Sequence, residues 1–341
     1  MKKWITVLCI ILLAWDVVLS VNIFSDQNDT SVTVEEASGY TVTDYTSDLT
    51  AMADAVKGSV VRINGKEKAS GFIYAVNDQT IEIVTVSSAA VADSEVTVTF
   101  ASGAQETGTV IGTDEGTGAA VVEVNADFTA TAFTRGNSDQ IDEGEYGAVL
   151  GGHDRSVSEG SITFGVMSGV FTDVLNASLP YHVQLIGFDG NVPSESNGGP
   201  LCDVSGALIG MINLNYTGNG SHSYAVGIND IHAACDEIIN EGEVTRGILD
   251  LSLTNVSSLT SYQKNERGMM LDQTDGVIVN SVGESLKDQI QEDDVITKIN
   301  DTEISSMSDV RSFLYNCVSG DALTLTIVRG DTTTEVTVNV Q

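Results

Sequence analysis

The sequence predicts a mainly β protein, with a long run of short strands followed by a compact α+β module, behind an N-terminal apolar segment. Three observations carry this. Thr, Val, Gly and Ser are abundant while proline occurs three times, at Pro180, Pro193 and Pro200, a mix that favours strands and turns over helices. From Ala51 to Gly242 short β-like runs alternate with turns at regular spacing, as in a barrel or sandwich. From Arg246 the pattern changes to short strands around two helical stretches.

Residues 1–24 come first. Lys2 and Lys3 precede an apolar run from Trp4 to Phe24 in which Asp16 is the sole charge. A central Asp costs about 3 kcal/mol on the insertion scale and each Leu, Ile, Val or Phe returns about 0.3–0.6, so the run offsets it. After Lys3 the next basic residue is Lys57, while Asp26, Asp29, Glu35, Glu36, Asp44, Asp48 and Asp54 come earlier. This bias predicts a transmembrane anchor with the N-terminus in the cytoplasm and the body extracytoplasmic. The rival reading is a cleaved signal peptide with apolar core Ile5–Ala14 and a weak small-residue site at Val18/Ser20. Either way the body is exported.

Residues 25–50 are acidic and rich in Ser and Thr, and read as a linker. Within 51–242 the expected strands are Ser59–Ile63, Gly71–Val76, Thr80–Val86, Glu95–Phe100, Gly108–Ile111, Ala119–Val124, Gly147–Leu150, Gly160–Val170, His182–Ile186, Ala207–Asn213 and Ser223–Val226. Asp230–Asn240 has helical periodicity, with Ile231, Ala234, Ile238 and Ile239 on one side. Within 246–341 strands are expected at Gly276–Val282, Asp294–Ile299, Ala322–Val328 and Thr334–Val340, and helices near Ser285–Gln289 and Met307–Asn316.

Composition narrows the function. With 15 Lys+Arg against 48 Asp+Glu, the formal net charge is −33. Clustered cations for phosphate binding are missing, so nucleic acid is not an expected partner, and membrane contact is expected only through the N-terminal segment. Cys9 lies in the apolar segment; Cys202, Cys235 and Cys317 form an odd set, of which Cys202 and Cys235 are the pair considered for a disulfide. No CxxC motif occurs and His153, His182, His222 and His232 have no ligand-like spacing, so no metal or other cofactor is expected.

The segment Ser194-Glu195-Ser196-Asn197-Gly198-Gly199-Pro200-Leu201 resembles the nucleophile loop of the HtrA/Deg family of trypsin-like serine proteases, which ordinarily reads Pro-Gly-Asn-Ser-Gly-Gly-Pro-Leu. Ser59-Val60-Val61-Arg62-Ile63 and Ser70-Gly71-Phe72-Ile73 look like the family's first strands. Ile83-Val84-Thr85 looks like the strand entering the histidine loop. Gly112-Thr113-Asp114 and Ala120-Val121-Val122-Glu123-Val124 bracket the aspartate position. Ala207–Asn213 and Ser223–Val226 resemble the strands lining the specificity pocket. Arg246-Gly247-Ile248-Leu249 and Asp294–Asn300 resemble the family's PDZ domain. The resemblance implies a trypsin-like double β-barrel over 51–242 and an α+β PDZ-like domain over 246–341; many members form trimers, so a homo-oligomer is an expectation.

Such a site hydrolyses peptides with a hydroxyl nucleophile, an imidazole base and an orienting carboxylate. By resemblance, the positions of base, carboxylate and nucleophile hold Ser88, Gly118 and Asn197. The oxyanion turn holds Glu195 where the family has Gly. The resemblance therefore implies a pseudoprotease that binds extended or unfolded polypeptide, or modulates an active protease of the cell envelope. Two rivals stand: an active endopeptidase with a rebuilt site, with Ser196 or Ser194 as relocated nucleophile and His182 or His222 as base, and a protein that uses the barrels only as scaffold. The PDZ resemblance implies peptide binding through Arg246, Gly247, Ile248, Leu249, Asp250 and Leu251. There Asp250 replaces a Gly, and a carboxylate in that loop opposes a peptide's terminal carboxylate. Asp293 replaces a second Gly.

Overall fold

The computed structural model describes residues 42–152, 160–176, 179–216, 223–330 and 332–341. The predicted anchor and most of the predicted linker lie outside these. No helix among the described residues is long and apolar enough to cross a membrane.

Helix α1 spans Val42–Val56 and begins inside the stretch expected to be a linker. The helix was not anticipated; the spacing of Leu49, Met52, Ala53 and Val56 puts four apolar side chains on one face. Met52 and Ala53 are buried, and Leu49 and Val56 pack against the core.

Strands β1 (Val60–Asn64), β2 (Lys68–Asn77), β3 (Thr80–Val86), β4 (Glu95–Thr99), β5 (Gln105–Thr113) and β6 (Ala119–Asn125) close into a barrel in the order β1-β2-β3-β6-β5-β4. A second barrel follows from β7 (Tyr146–Gly151), β8 (Ser161–Asn176), β9 (Leu179–Asp189), β10 (Pro200–Asp203), β11 (Leu208–Ile212) and β12 (Ser223–Gly227), in the order β10-β11-β12-β9-β8-β7. Closure removes open sheet edges, and the inward side chains fill each barrel. Ile63, Phe72, Ile83, Val84 and Val122 are buried in the first, and Met167, Ile186, Phe188, Leu201 and Ile209 in the second. Sequence reading missed β10, because Pro200 opens it and the apolar part is only Leu201-Cys202. Prolines are tolerated at the first position of a strand.

Helix α2 (Ile228–Glu241) buries Ile231, Ala234, Cys235 and Ile238 and stops at Gly242, whose φ of 85° supplies the left-handed C-terminal turn.

The C-terminal module is a sheet in the order β13-β14-β15-β17-β18, with β13 at Leu251–Asn255, β14 at Val277–Val282, β15 at Val295–Ile299, β17 at Ala322–Arg329 and β18 at Thr332–Asn339. A short β16 (Thr302–Glu303) pairs with β15. Helix α4 (Met307–Leu314) covers the sheet and buries Met307, Val310 and Leu314. The helix expected near Ser285–Gln289 is a run of turns instead: Leu286 and Ile290 reach the core, but the stretch is too short to propagate a helix. Helix α3 (Ser261–Glu266) was not anticipated, although Thr260 and Gln263 form a capping box at its start.

Cys202, Cys235 and Cys317 are free, buried thiols, so the disulfide considered between Cys202 and Cys235 is not formed. Each sits in an apolar core, where a thiol packs as a small hydrophobe.

Candidate active site and peptide-binding module

The turn that should carry a nucleophile is built on glycines. Gly198 has φ 80°, and a Cβ there would lie 2.5 Å from Ser70 O and 2.8 Å from Thr85 Oγ1, so only Gly fits. The Gly198 N–H donates to Ile212 O at 2.8 Å, and the Ser70 N–H donates to Asn197 O at 2.8 Å. Ser70 is fully buried. Its Oγ donates to Glu195 O at 2.6 Å and accepts from the Gly152 N–H at 2.8 Å. One serine of the first barrel thus fixes the turn to the end of β7. Nothing in the sequence singles Ser70 out.

The expected positions converge. The Ser87 N–H donates to Gly118 O at 2.8 Å, next to Ser88. Ser88 Oγ is buried and makes no hydrogen bond. Gly118 has φ 69°, and a Cβ there would sit 2.5 Å from Asn213 Nδ2. Asn213 is buried and its amide donates to Thr117 O at 3.3 Å. The Asn213 amide therefore occupies the space beside the backbone of Gly118 into which a carboxylate would project.

Asn197 is also tied down. Its Oδ1 accepts the Leu214 N–H at 2.9 Å. Its own N–H donates to Ser194 O at 3.2 Å, closing the short 3-10 turn Ser194–Ser196. That N–H points into its own turn and not outward toward a developing oxyanion. The Glu195 residue is exposed. Ser196 is buried, with its Oγ 3.0 Å from Ser161 Oγ, a hydroxyl that cannot act as a base.

Of the four histidines, His153 and His222 lie outside the described residues. His182 Nε2 is 3.0 Å from Leu249 O in the C-terminal module. His232 Nδ1 is 2.9 Å from the Tyr74 hydroxyl, which donates to Asp236 Oδ1 at 2.5 Å. Burial, reinforced by the Arg135 charge, lowers His232 to about 4.

The predicted peptide-binding loop is held from within. Arg246 Nη2 pairs with Asp114 Oδ2 at 2.7 Å, both side chains nearly fully buried, and its guanidinium lies 4.6 Å from the Tyr315 ring centre. The Gly247 N–H donates to Leu314 O, and Ile248 exchanges backbone hydrogen bonds with Gln341, all at 3.0 Å. The Leu251 N–H turns back to Leu249 O at 2.7 Å. Leu249 and Leu251 are buried in the module's core. The Asp250 carboxylate accepts from Ser285 Oγ at 3.3 Å and lies against Gly283, where any side chain would collide with it.

A second buried pair joins barrel and module. Arg311 of α4 donates to Asp230 Oδ1 and Asp139 Oδ1, each at 3.1 Å, and Asp230 Oδ2 also accepts the Gln184 N–H at 2.7 Å. Burial alone would lower Arg311, but the Asp230 and Asp139 charges outweigh it and hold the guanidinium above its ordinary value. Sequence reading missed this pair, because Asp230 and Arg311 lie in different domains with no shared motif.

Residues 69–211 match the trypsin-like peptidase domain, and residues 257–340 match the PDZ domain. Together these matches cover about two thirds of the chain. This chain belongs to the HtrA family. It is 29% identical to the serine protease Do-like HtrB of Bacillus subtilis over 270 residues, covering 76% of this chain and 59% of the relative. It is 25% identical to the serine protease Do-like HtrA of Lactococcus lactis subsp. cremoris, covering 91% of this chain and 81% of that one. A probable periplasmic serine endoprotease DegP-like of Chlamydia trachomatis is 27% identical, with 72% of this chain and 49% of the relative covered. In fold, the HtrA-type protease AlgW with a tripeptide matches at a TM-score of 0.62 and 20% identity, over 86% of this chain and 96% of that one.

Proposed function

We propose that this HtrA-family chain is a non-catalytic polypeptide-binding protein of the cell envelope, held to the cytoplasmic membrane by residues 1–24. It binds extended or unfolded polypeptide, or modulates an active relative. The supporting observation is the pairing of Gly118 with Asn213. A left-handed glycine under a buried amide leaves no room for an orienting carboxylate, and the Asn197 amide is engaged by Leu214. Both histidines among the described residues have other partners. The expected outcome is that residues 27–341 neither react with a fluorophosphonate probe nor digest casein. The anchor reading expects the mature protein to retain its N-terminus; a mature chain beginning at Val21 would replace it with signal cleavage.

Similarity to serine proteases such as HtrB of Bacillus subtilis and HtrA of Lactococcus lactis supports a second reading, an active endopeptidase with a rebuilt site. Ser196 is then the candidate nucleophile. Casein digestion that disappears in Ser196→Ala would establish that reading and end the first.

A further inference from the structure

Strand β18 is an outer strand of the C-terminal sheet, and among the described residues β17 is its one strand partner. An edge strand displays a row of unpaired N–H and C=O groups, and proteins blunt such edges with lysine, proline, bulges or very short strands. β18 carries none of these. It is eight residues long, reads Thr-Thr-Thr-Glu-Val-Thr-Val-Asn, and pairs with β17 from Thr332 to Asn339 without a shift of register. All of its residues except Val336 and Val338 are exposed.

Two contacts fix which residues turn outward. The Thr324 N–H donates to Asn300 Oδ1 at 2.9 Å and its carbonyl accepts the Asn300 N–H at 2.7 Å, so Thr324 of β17 bonds away from β18. Its cross-strand partner Thr337 therefore has its backbone groups on the free side. At the end of the strand the Val340 N–H donates inward to Asp321 O, while Gln341 exchanges backbone bonds with Ile248 on the free side. Backbone direction alternates along a strand, so Thr333, Glu335, Thr337 and Asn339 face out. The row stops where Ile248 covers Gln341.

We propose that this edge pairs with the same edge of a second copy of the chain, antiparallel about a two-fold axis at Val336. A two-fold interface must be self-complementary, and this row is. With Val336 opposite Val336 of the second copy, Thr333 meets Asn339 and Glu335 meets Thr337, on both sides of the axis. Every outward residue then exchanges both of its backbone bonds. An axis at Glu335 would set two carboxylates face to face, which is destabilising. An axis at Thr337 would bring Thr333 against Gln341, which Ile248 already holds. At the chosen axis the half-buried Val336, which packs on the module's core, gains an apolar neighbour. This register argues for a second copy over an unrelated strand. One strand pair is small beside the roughly 1,200–2,000 Å² of a stable interface, so the association is weak. The net charge of −33 on each copy opposes it, and salt screens that repulsion.

The proposal does not depend on whether the chain cuts peptides. The test places single cysteines in the soluble chain, residues 27–341, whose own Cys202, Cys235 and Cys317 are buried. Opposed residues that share no backbone bond stand about 4.5 Å apart at Cα, within disulfide reach. Under mild oxidation Val336→Cys should form a disulfide dimer at least tenfold faster than Thr334→Cys, which faces Val338 across the axis. Equal rates, or no dimer from Val336→Cys, would overturn the proposal. A second variant leaves the core side of the strand alone. Thr337→Pro removes an outward N–H and no bond to β17, so the strand stands. In sedimentation equilibrium it should self-associate at least tenfold more weakly than wild type, and raising NaCl from about 0.05 to about 0.5 M should tighten the wild-type association at least threefold. Unchanged association in Thr337→Pro overturns the proposal, and so does wild-type association that loosens with salt. An unrelated extended decapeptide that shields the Thr333–Asn339 amides from hydrogen exchange, in a chain that stays monomeric, would hand the edge to foreign polypeptide and likewise overturn it.

Discussion

The nucleophile turn and the barrel–module seam are both buried, polar and rich in hydrogen bonds, yet they differ in what was kept. At the turn the glycine framework stands, on the proposed non-catalytic reading without the groups that would do chemistry, and the Asn197 side chain and the Ser70 hydroxyl bond to the protein itself. Asn197 holds Leu214, and its N–H closes onto Ser194. At the seam, full charges are buried in complementary pairs. On the proposed non-catalytic reading, the contrast teaches that the scaffold of a protease site can outlast its chemistry, because glycine turns and Ser70 hold the two barrels together whether or not a substrate is cut. Buried charge tolerates no such drift, since removing one partner strands the other.

The largest expected effect tests the seam. Asp230→Ala removes the acceptor of the Gln184 N–H and a buried carboxylate partner of the Arg311 guanidinium, which keeps the half-buried Asp139. The expected loss is about 3–5 kcal/mol, read from urea unfolding of the soluble chain. Pairing it with Arg311→Met should recover at least half of that loss, because a buried pair replaced whole costs little. A single substitution that costs under about 1 kcal/mol would show that the seam opens to water.

Next comes the turn. Gly118→Asp forces a side chain into a left-handed backbone and against the Asn213 amide, at an expected cost of about 2 kcal/mol. The combined change Ser88→His, Gly118→Asp and Asn197→Ser should still fail to react with a fluorophosphonate, since Asn213 remains in the way. Reactivity in that variant would mean that three side chains, and not the remodelled backbone, are all that separate this site from an active one.

A smaller effect comes from His232. Its folded pKa of about 4 lies below the ordinary 6.5, so the unfolded chain binds the proton more readily. The stabilisation is complete above pH 6.5 and is lost as pH falls from there toward 4. Allowing for partial exposure, the loss is about 1–2 kcal/mol. Urea midpoints at pH 7 and pH 4.5 should therefore fall less in His232→Gln than in wild type. Equal falls would place the titration elsewhere.

Much of the fold was legible because period-two alternation and turn residues recur through both barrels; β3 was read at Thr80–Val86 and stands there. The candidate site was legible only as far as its motif ran. Gly198-Gly199-Pro200-Leu201 marked the turn, but no local pattern announced that Asn213 would lie over Gly118 or that Ser70 would grip the turn. Those contacts join residues 95 and 125 positions apart in sequence (118 with 213, 70 with 195), and no periodicity encodes that. The same holds for Arg246, whose place in a peptide-binding motif concealed its pairing with Asp114.

The smallest effect concerns a strained residue that the sequence did flag. Asp293 stands where the family has Gly and has φ 69°. Aspartate tolerates that region better than most residues, and its carboxylate lies 3.4 Å from Arg267 at a half-exposed position. Asp293→Gly removes the strain but loses a weak surface pair and loosens the unfolded chain, terms of about 0.5–1 kcal/mol that oppose one another. The net change should stay within about 0.5 kcal/mol. Asp293→Ala keeps the left-handed strain and loses the pair, so it should cost about 1 kcal/mol. Urea unfolding should therefore rank Gly above Ala. If Ala proves as stable as Gly, the backbone at this turn relaxes out of the left-handed region, and the glycine of the family is selected there for another reason.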